Sequence, residues 1–414
     1  MQPGWTPQSW RDYPASQQPI YEEPKTVEEV VGRIRLSPGI VCSESVFRLK
    51  KRLELLFKSP TDVLLQAGDC AETFSSCEQA RVTRDAELVT SLSPALSIGR
   101  ICGQFAKPRS HHVEIHKERG EIPVFRGDII NGYSPLERSV SPNRMQLAHS
   151  LSLNMYRQLQ DIGHDFFISH ECLLLPYEEA LIKCDKGQRS FSSSAHFLWI
   201  GDRTRELNGA HIEFCRGLEN PIGIKVGPSS DPREIRECVV RLDPTNSPGK
   251  ITIITRFGVG GAARHLPALI RELRGLNVLY QCDPMHGNTV ILSSGKKTRY
   301  VESIKHEIME VVEIHRTMGS RVHGLHLETT GTDVTECMGV NVHDVNLPNY
   351  QSLCDPRLNP IQARHVVEFF CEKLKQPKPF ICLSRLSTAE TSRSDNSTTS
   401  SDEEKSFDAL RDVS

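Results

Sequence analysis

No run in this 414-residue chain approaches the ~20 consecutive apolar residues that span a bilayer, so no transmembrane helix and no membrane partner are expected. The opening stretch, MQPGWTPQSWRDYPASQQPIYEEP, has no apolar core, and a secretory signal is not expected there. Charge of one sign is also missing. Fifty Lys and Arg stand against 52 Asp and Glu, a formal net charge of −2, so no global field draws the chain to nucleic acid. The 13 cysteines are odd in number and form no Cys-x-x-Cys pair. That excludes a disulfide framework and points to a reducing compartment, the cytoplasm. The first apolar run is followed by neither GxGxxG nor GxxxxGK, the loops with which doubly wound sheets usually hold dinucleotides and phosphates. No internal repeat is visible.

What is present is ample apolar material, 38% of the residues, in a recurring arrangement. Short apolar runs occur at VLLQAGDC (63–70), SIGRICGQF (97–105), DFFISHE (165–171), HFLWIGDR (196–203), PIGIKVG (221–227), ITIITRFG (251–258), NVLYQCDP (277–284) and VHGLHLET (322–329). Helical patterns separate most of them: SESVFRLKKRLELLFK, DPREIRECVVRL, LPALIRELRG and RYVESIKHEIMEVVEIHRTM, with HVVEFFCEKL closing the series. Eight strands alternating with helices predict a (β/α)8 TIM barrel. Residues 1–25, rich in Pro, Trp, Tyr and Gln, read as an extended N-terminal arm anchored by Trp5 and Trp10. Residues 26–385 form the barrel domain. Residues 386–414, rich in Ser, Thr and acid, read as a disordered C-terminal tail.

In such a barrel the C-terminal ends of all strands meet at one mouth. Nearly every run delivers an ionisable group there: Cys70, Lys107 and Arg109, His170 and Glu171, Asp202 and Arg203, Lys225, Arg256, His286 and Glu328. Two chemistries separate. Arg100, Lys107, Arg109, Arg203, Lys225 and Arg256 are cationic, several of them inside apolar runs where an unpaired charge is costly. They call for phosphate or carboxylate, or, as the plainer alternative, for internal ion pairs with Glu72, Glu171, Asp202 or Asp128. Cys70, His286 and Glu328, with Asp355 from CDPRLN, make a mixed S/N/O donor set that suits a borderline divalent metal better than Mg²⁺ or Ca²⁺. No local spacing ties these four together, and a buried Cys70, a capping His286 and a salt-bridged Glu328 remain open as alternatives.

The residues so assembled resemble the type II, plant-like family of 3-deoxy-D-arabino-heptulosonate 7-phosphate (DAHP) synthases. The resemblance rests on WTPQSWRDYPASQQPIY, LLQAGDCAETF, GQFAKPRS, FRGDIING, SHECLLLPYEEAL, SAHFLWIGDRTRELNGAHIEF, NPIGIKVGP, TRFG, CDPMHGNT, GLHLETTGTDVTEC and CDPRLN, in family order along nearly the whole chain. It implies a transferase that joins phosphoenolpyruvate, erythrose 4-phosphate and water to give DAHP and phosphate, the first step of the shikimate pathway.

Carried over motif by motif, it implies Cys70, His286, Glu328 and Asp355 as ligands of one divalent ion, Mn²⁺ or Co²⁺ first and Cd²⁺, Zn²⁺ or Fe²⁺ next. Arg100, Lys107, Arg203, Lys225 and Arg256 would hold phosphoenolpyruvate, and Arg109 and Ser110 erythrose 4-phosphate. Lys107, Lys225 and Asp202 would act in catalysis, the lysines moving protons and the carboxylate positioning water or backbone.

Two positions depart from the family pattern: Asp202 stands where Glu is usual in GERTR, and Ala67 where Gly is usual in GGDCAE. The stretch between FRGDIING and SHECLLL is also short. Longer members place a helical pair there for feedback by aromatic amino acids, so weak or absent inhibition by tryptophan and phenylalanine is expected. A dimer or tetramer is implied. A relative acting on an amino-substituted aldose phosphate is the alternative enzyme, and a non-catalytic partner protein that kept the fold is the alternative class.

Overall fold

The structure is a computed structural model and describes residues 4–92, 95–161 and 166–376; the tail expected over 386–414 lies outside the described residues. Eight parallel strands close a barrel in which every strand pairs with its neighbours in sequence. They are β1 (Leu64–Gly68), β2 (Leu96–Arg100), β3 (Phe167–Glu171), β4 (Phe197–Ile200), β5 (Ile222–Val226), β6 (Ile251–Thr255), β7 (Val278–Cys282) and β8 (Gly324–Glu328). Seven lie within the runs read as strands, and β2 starts one residue before its run. They are apolar on both faces because helices cover the outside and side chains fill the inside. The β1–β2 and β1–β8 registers set Gly68, Arg100 and Glu328 side by side at the mouth.

Helices α1 (Pro24–Leu36) and α2 (Ser43–Lys58) precede the barrel. The expected boundary at 25/26 falls on the first turn of α1. The outer layer is α3 (Gln79–Leu92), α4 (Asn143–Asp161), α5 (Leu175–Ala180), α6 (Ala210–Arg216), α7 (Pro232–Leu242), α8 (Gly261–Glu272), α9 (Val301–Thr317) and α10 (Pro360–Lys375).

Two helices start earlier than the sequence pattern predicts. α8 begins five residues before Leu266 and carries Pro267 inside, a position that removes one backbone hydrogen bond. Its buried stripe of Ala262, Leu266, Leu269 and Ile270 holds it to the barrel regardless. α10 begins at Pro360, where Asn359 and Gln362 cap each other reciprocally. The span between FRGDIING and β3, read only as a short bridge, contains α4.

α2 closes the bottom of the barrel. Leu49, Leu53 and Leu56 lie on one helical face and pack with Leu64, Leu96, Ile98, Phe167, Phe197 and Leu279 from the strand interiors. The approach is tight at the turn before β6. Gly249 has φ 79°, and a Cβ there would lie 2.5 Å from the Glu54 nitrogen.

The N-terminal arm lies on the body through its tryptophans. Trp5 Nε1 donates to the Glu213 and Phe214 carbonyls at 3.1 and 3.2 Å, with its ring against Gly217, where no Cβ would fit. Trp10 Nε1 donates to Glu179 at 3.1 Å. Further along, Gln17 clasps the Arg109 backbone in both directions, at 2.9 and 3.2 Å, and Ser16 Oγ donates to the Arg203 carbonyl. The arm thereby braces two loops of the mouth. Among the described residues no helix is long and apolar enough to cross a membrane.

Candidate active site

Polarity rises along the barrel axis. Above the apolar layer, Gln66 donates to Ser169 at 2.9 Å and its carbonyl faces His326 Nδ1 at the same distance. His326 Nε2 meets Arg100 Nη1 at 2.6 Å. Burial, with Lys225 and Arg100 adding to it, holds His326 well below its ordinary value, so it is neutral and accepts from the guanidinium. Above this layer opens a cavity of about 430 Å³ lined by Cys70, Arg100, Lys107, Arg109, Ser110, Asp202, Arg203, Lys225, Arg256, His286 and Asp355. Of the residues predicted at the mouth from sequence, Glu328 and His170 are absent from that lining. Glu328 lies just beneath, fully buried.

The donor set splits into a core and a flank. Ligand atoms of Cys70, Glu328 and Asp355 lie within 4.8 Å of one another. Cys70 Sγ is 3.7 Å from Asp355 Oδ2. His286 is outside this trio: its Nε2 lies 3.0 Å from Glu328 Oε1, and its Nδ1 is 2.7 Å from Asp283 Oδ2. The Lys107 ammonium sits 2.6 Å from Cys70 Sγ and 2.5 Å from Asp355 Oδ2, the cation that thiol and carboxylate share.

Each pKa follows from these neighbours. Burial and Glu328 push the Cys70 thiol well up, against Lys107. Burial opposes charge on Lys107, but Asp355 and Cys70 keep it protonated, well above its ordinary value. For Glu328 and Asp355 burial likewise opposes charge. His286, Arg299 and Arg100 overcome it for Glu328, and Lys107, Arg299 and Lys297 for Asp355, so both remain carboxylates. Such a knot of acids is stable only beside cations, and its mixed S/O donors with an imidazole at the edge fit a borderline divalent ion.

The cationic side is equally ordered. Lys225 projects from β5 to Asp283, and burial, reinforced by Arg100 and Arg256 and opposed by Asp283, brings it down to about 8. Asp202 bridges Arg256 at 2.8 Å and Arg205 at 3.1 Å. The shorter acid thus serves as an anchor for arginines. Arg203 Nη2 donates to Ser110 Oγ at 2.7 Å, joining the two loops expected to take different phosphates. Arg100 is less available than expected, being tied to His326, Glu328 (3.1 Å) and the Trp199 ring face.

One rim residue turns away. His170 alternates outward from its strand neighbour Glu171 and pairs with buried Glu178 at 2.7 Å. Glu72 and Asp128 leave the cationic ring alone. Glu72 accepts the backbone N–H groups of Cys102, Gly103 and Gln104, and Asp128 pairs with Arg144.

The residues missed from sequence are Asp283, which joins Lys225 to His286, and Arg299 and Lys297, which pair with Glu328 and Asp355. Asp283 had a signal, being three residues from His286. Arg299 opens the helical pattern RYVESIKHEIMEVVEIHRTM, where nothing marks it for the site, yet it has zero exposure.

Fold and site together define a barrel enzyme whose mouth crowds cationic side chains beside a thiol and carboxylate cluster that could hold a divalent ion. The model of the Class-II DAHP synthetase family matches residues 5–164 and 152–370, and the chain belongs to that family. A phospho-2-dehydro-3-deoxyheptonate aldolase of Neurospora crassa is 36% identical over 91% of this chain and 95% of its own length. One from Streptomyces coelicolor is 33% identical over 86% and 94%. A probable one from Pseudomonas fluorescens is 36% identical over 89% and 97%. The solved phospho-2-dehydro-3-deoxyheptonate aldolase of Francisella tularensis has the same fold, with a TM-score of 0.56 at 18% identity over 86% of this chain and 98% of that one.

Proposed function

We propose that the chain condenses phosphoenolpyruvate with D-erythrose 4-phosphate and water to give DAHP and phosphate, opening the shikimate pathway. The observation that carries this reading is the cavity itself. Cationic Lys107, Arg109, Arg203, Lys225 and Arg256 share one mouth with a Cys70, Glu328 and Asp355 cluster and His286 beside it.

Arg256, Lys225, Arg203, Lys107 and, from below, Arg100 neutralise the phosphate and carboxylate of phosphoenolpyruvate. Arg109 and Ser110 receive the phosphate of the aldose. Planar guanidinium forks fix both anions in orientation, and holding two reactants in attack geometry supplies several kcal/mol. Cys70, His286, Glu328 and Asp355 would hold the ion, Mn²⁺ or Co²⁺ before Cd²⁺, Zn²⁺ or Fe²⁺, and what it supplies when bound is Lewis acidity at the aldehyde oxygen. C3 of phosphoenolpyruvate attacks the aldehyde carbon, whose oxygen takes a proton, water adds to the cationic C2 and gives up a proton, and the C2–O bond to the phosphate then breaks to release phosphate. Asp202, through Arg256 and Arg205, fixes the cations around that carbon. Lys225 and Lys107 are the groups placed to hold or move protons.

The deciding experiment is phosphate release from phosphoenolpyruvate, with and without erythrose 4-phosphate, after chelation and add-back of Mn²⁺ or Co²⁺. Release that needs both the aldose and the ion is the expected result. Equal turnover with an amino-substituted aldose phosphate would favour that relative instead, and no bound ion and no turnover would favour a non-catalytic partner.

We place the protein in the cytoplasm, since every cysteine among the described residues is a free thiol. We expect a homodimer or homotetramer, measurable by sedimentation, because Ile20, Leu36 and Ile115 offer exposed apolar surface. Tryptophan and phenylalanine at micromolar concentration are expected to leave the rate unchanged.

A further inference from the structure

We infer that Arg299 is a positioning residue that fixes the geometry of the metal pocket, an inference that rests on the reading of Cys70, His286, Glu328 and Asp355 as ligands. The four donors come from widely separated parts of the chain, so something must hold their segments in register. Arg299 has zero exposure and touches three of those segments at once. Its Nη1 lies 2.6 Å from Glu328 Oε2 and 2.5 Å from the carbonyl of Pro356, the residue after Asp355. Its Nε donates to Thr289 Oγ1 at 2.9 Å, three residues beyond His286. Its own carbonyl accepts from Met338 N at 2.8 Å, which anchors its backbone to the long connection between β8 and α10.

The charge points the same way. A fixed guanidinium beside Glu328 leaves Oε1 as the oxygen facing His286 and Arg100, because Oε2 is engaged. Nη2 has no partner among the described residues, a buried donor still free beside the acid cluster. Lysine in this place keeps the charge, but a single ammonium cannot reach carboxylate, carbonyl and hydroxyl in one planar fork. Outer groups of this kind orient metal ligands, and losing one typically costs 10–100-fold in metal affinity.

The test measures Mn²⁺ affinity of the chelator-stripped full chain by calorimetry, with the thiolate-to-Co²⁺ absorption band as a second readout and the melting temperature in chelator as a control. Arg299→Lys should weaken Mn²⁺ binding about 10–100-fold and shift the Co²⁺ band, while the melting temperature in chelator stays close to that of the parent. Thr289→Val, which removes one tether and no charge, should weaken binding several-fold, and it decides the matter if Arg299→Lys does not fold. Parent-like or tighter Mn²⁺ binding in the folded Arg299→Lys protein, the result expected if Arg299 acts only as a repelling charge, overturns the inference. Parent-like affinity in Thr289→Val does so where that variant decides. If the parent itself binds no Mn²⁺ or Co²⁺, or binds it unchanged after Cys70→Ala, the reading of the ligand set fails, and the inference with it.

Discussion

The two ends of this barrel are built from the same eight strands and have opposite chemistry. At the bottom, α2 seals the interior with Leu49, Leu53 and Leu56 against strand side chains, and the layer is apolar. At the top the same strands end in Arg100, Glu171, Lys225 and Glu328, with Cys70, Asp283 and His286 just beyond. The lesson is a division of labour along one axis. The bottom supplies stability through burial that tolerates no gap. The top carries a crowd of charges that only a rigid base can hold in place.

The largest expected effect is at the top. Cys70→Ala should lower kcat/KM about 10³-fold, roughly 4 kcal/mol of transition-state stabilisation, and abolish stoichiometric Mn²⁺ binding. The melting temperature in chelator should not fall. Retained activity with bound metal would break the contrast at its strongest point.

Leu53→Ala at the bottom is the mirror image. It should destabilise the fold by about 2–5 kcal/mol, read by denaturant unfolding, with kcat/KM per folded molecule unchanged. A large change in substrate KM would mean that the two ends are coupled.

Lys225 sharpens the comparison through pH. Its folded value of about 8 means that the ammonium is present below and lost above, so kcat/KM should fall as pH rises through 8. Stability should move in the opposite sense. Between about 8 and the ordinary 10.5 the unfolded chain binds more protons, so this group's contribution to folding rises with pH. Lys225→Arg should move the activity limb upward; a limb left at the same pH assigns it elsewhere.

The smallest effect belongs to the arm. Gln17→Ala frees the Arg109 backbone and should raise KM for erythrose 4-phosphate a few-fold, about 1 kcal/mol for the lost hydrogen bonds, leaving KM for phosphoenolpyruvate alone. Equal changes in both would show that the arm braces the whole mouth.

The barrel was legible because its strands are short apolar runs between amphipathic helices, a periodicity written in adjacent residues. α8 and α10 start earlier than their patterns because burial of Ala262 overrides Pro267 and because the Asn359–Gln362 cap extends the last helix. The cationic ring was legible as charges set inside apolar runs, though their partners were not. His170 was placed on the rim, and alternation turns it to Glu178. Arg299 could not be found, since nothing in KKTRY distinguishes a buried guanidinium from a solvated one.

By itself the sequence determined the alternation of strands and helices, the family to which the chain belongs and the residue types at the strand ends, because each of these is carried by local pattern or contiguous motif. Only the tertiary structure decided which charges pair. Lys107 goes to Cys70 and Asp355, Lys225 to Asp283, Asp202 to Arg256, and Arg299 to Glu328. The reason is that Coulomb attraction acts through space and depends on burial, whereas the chain separates these partners by as many as 248 positions.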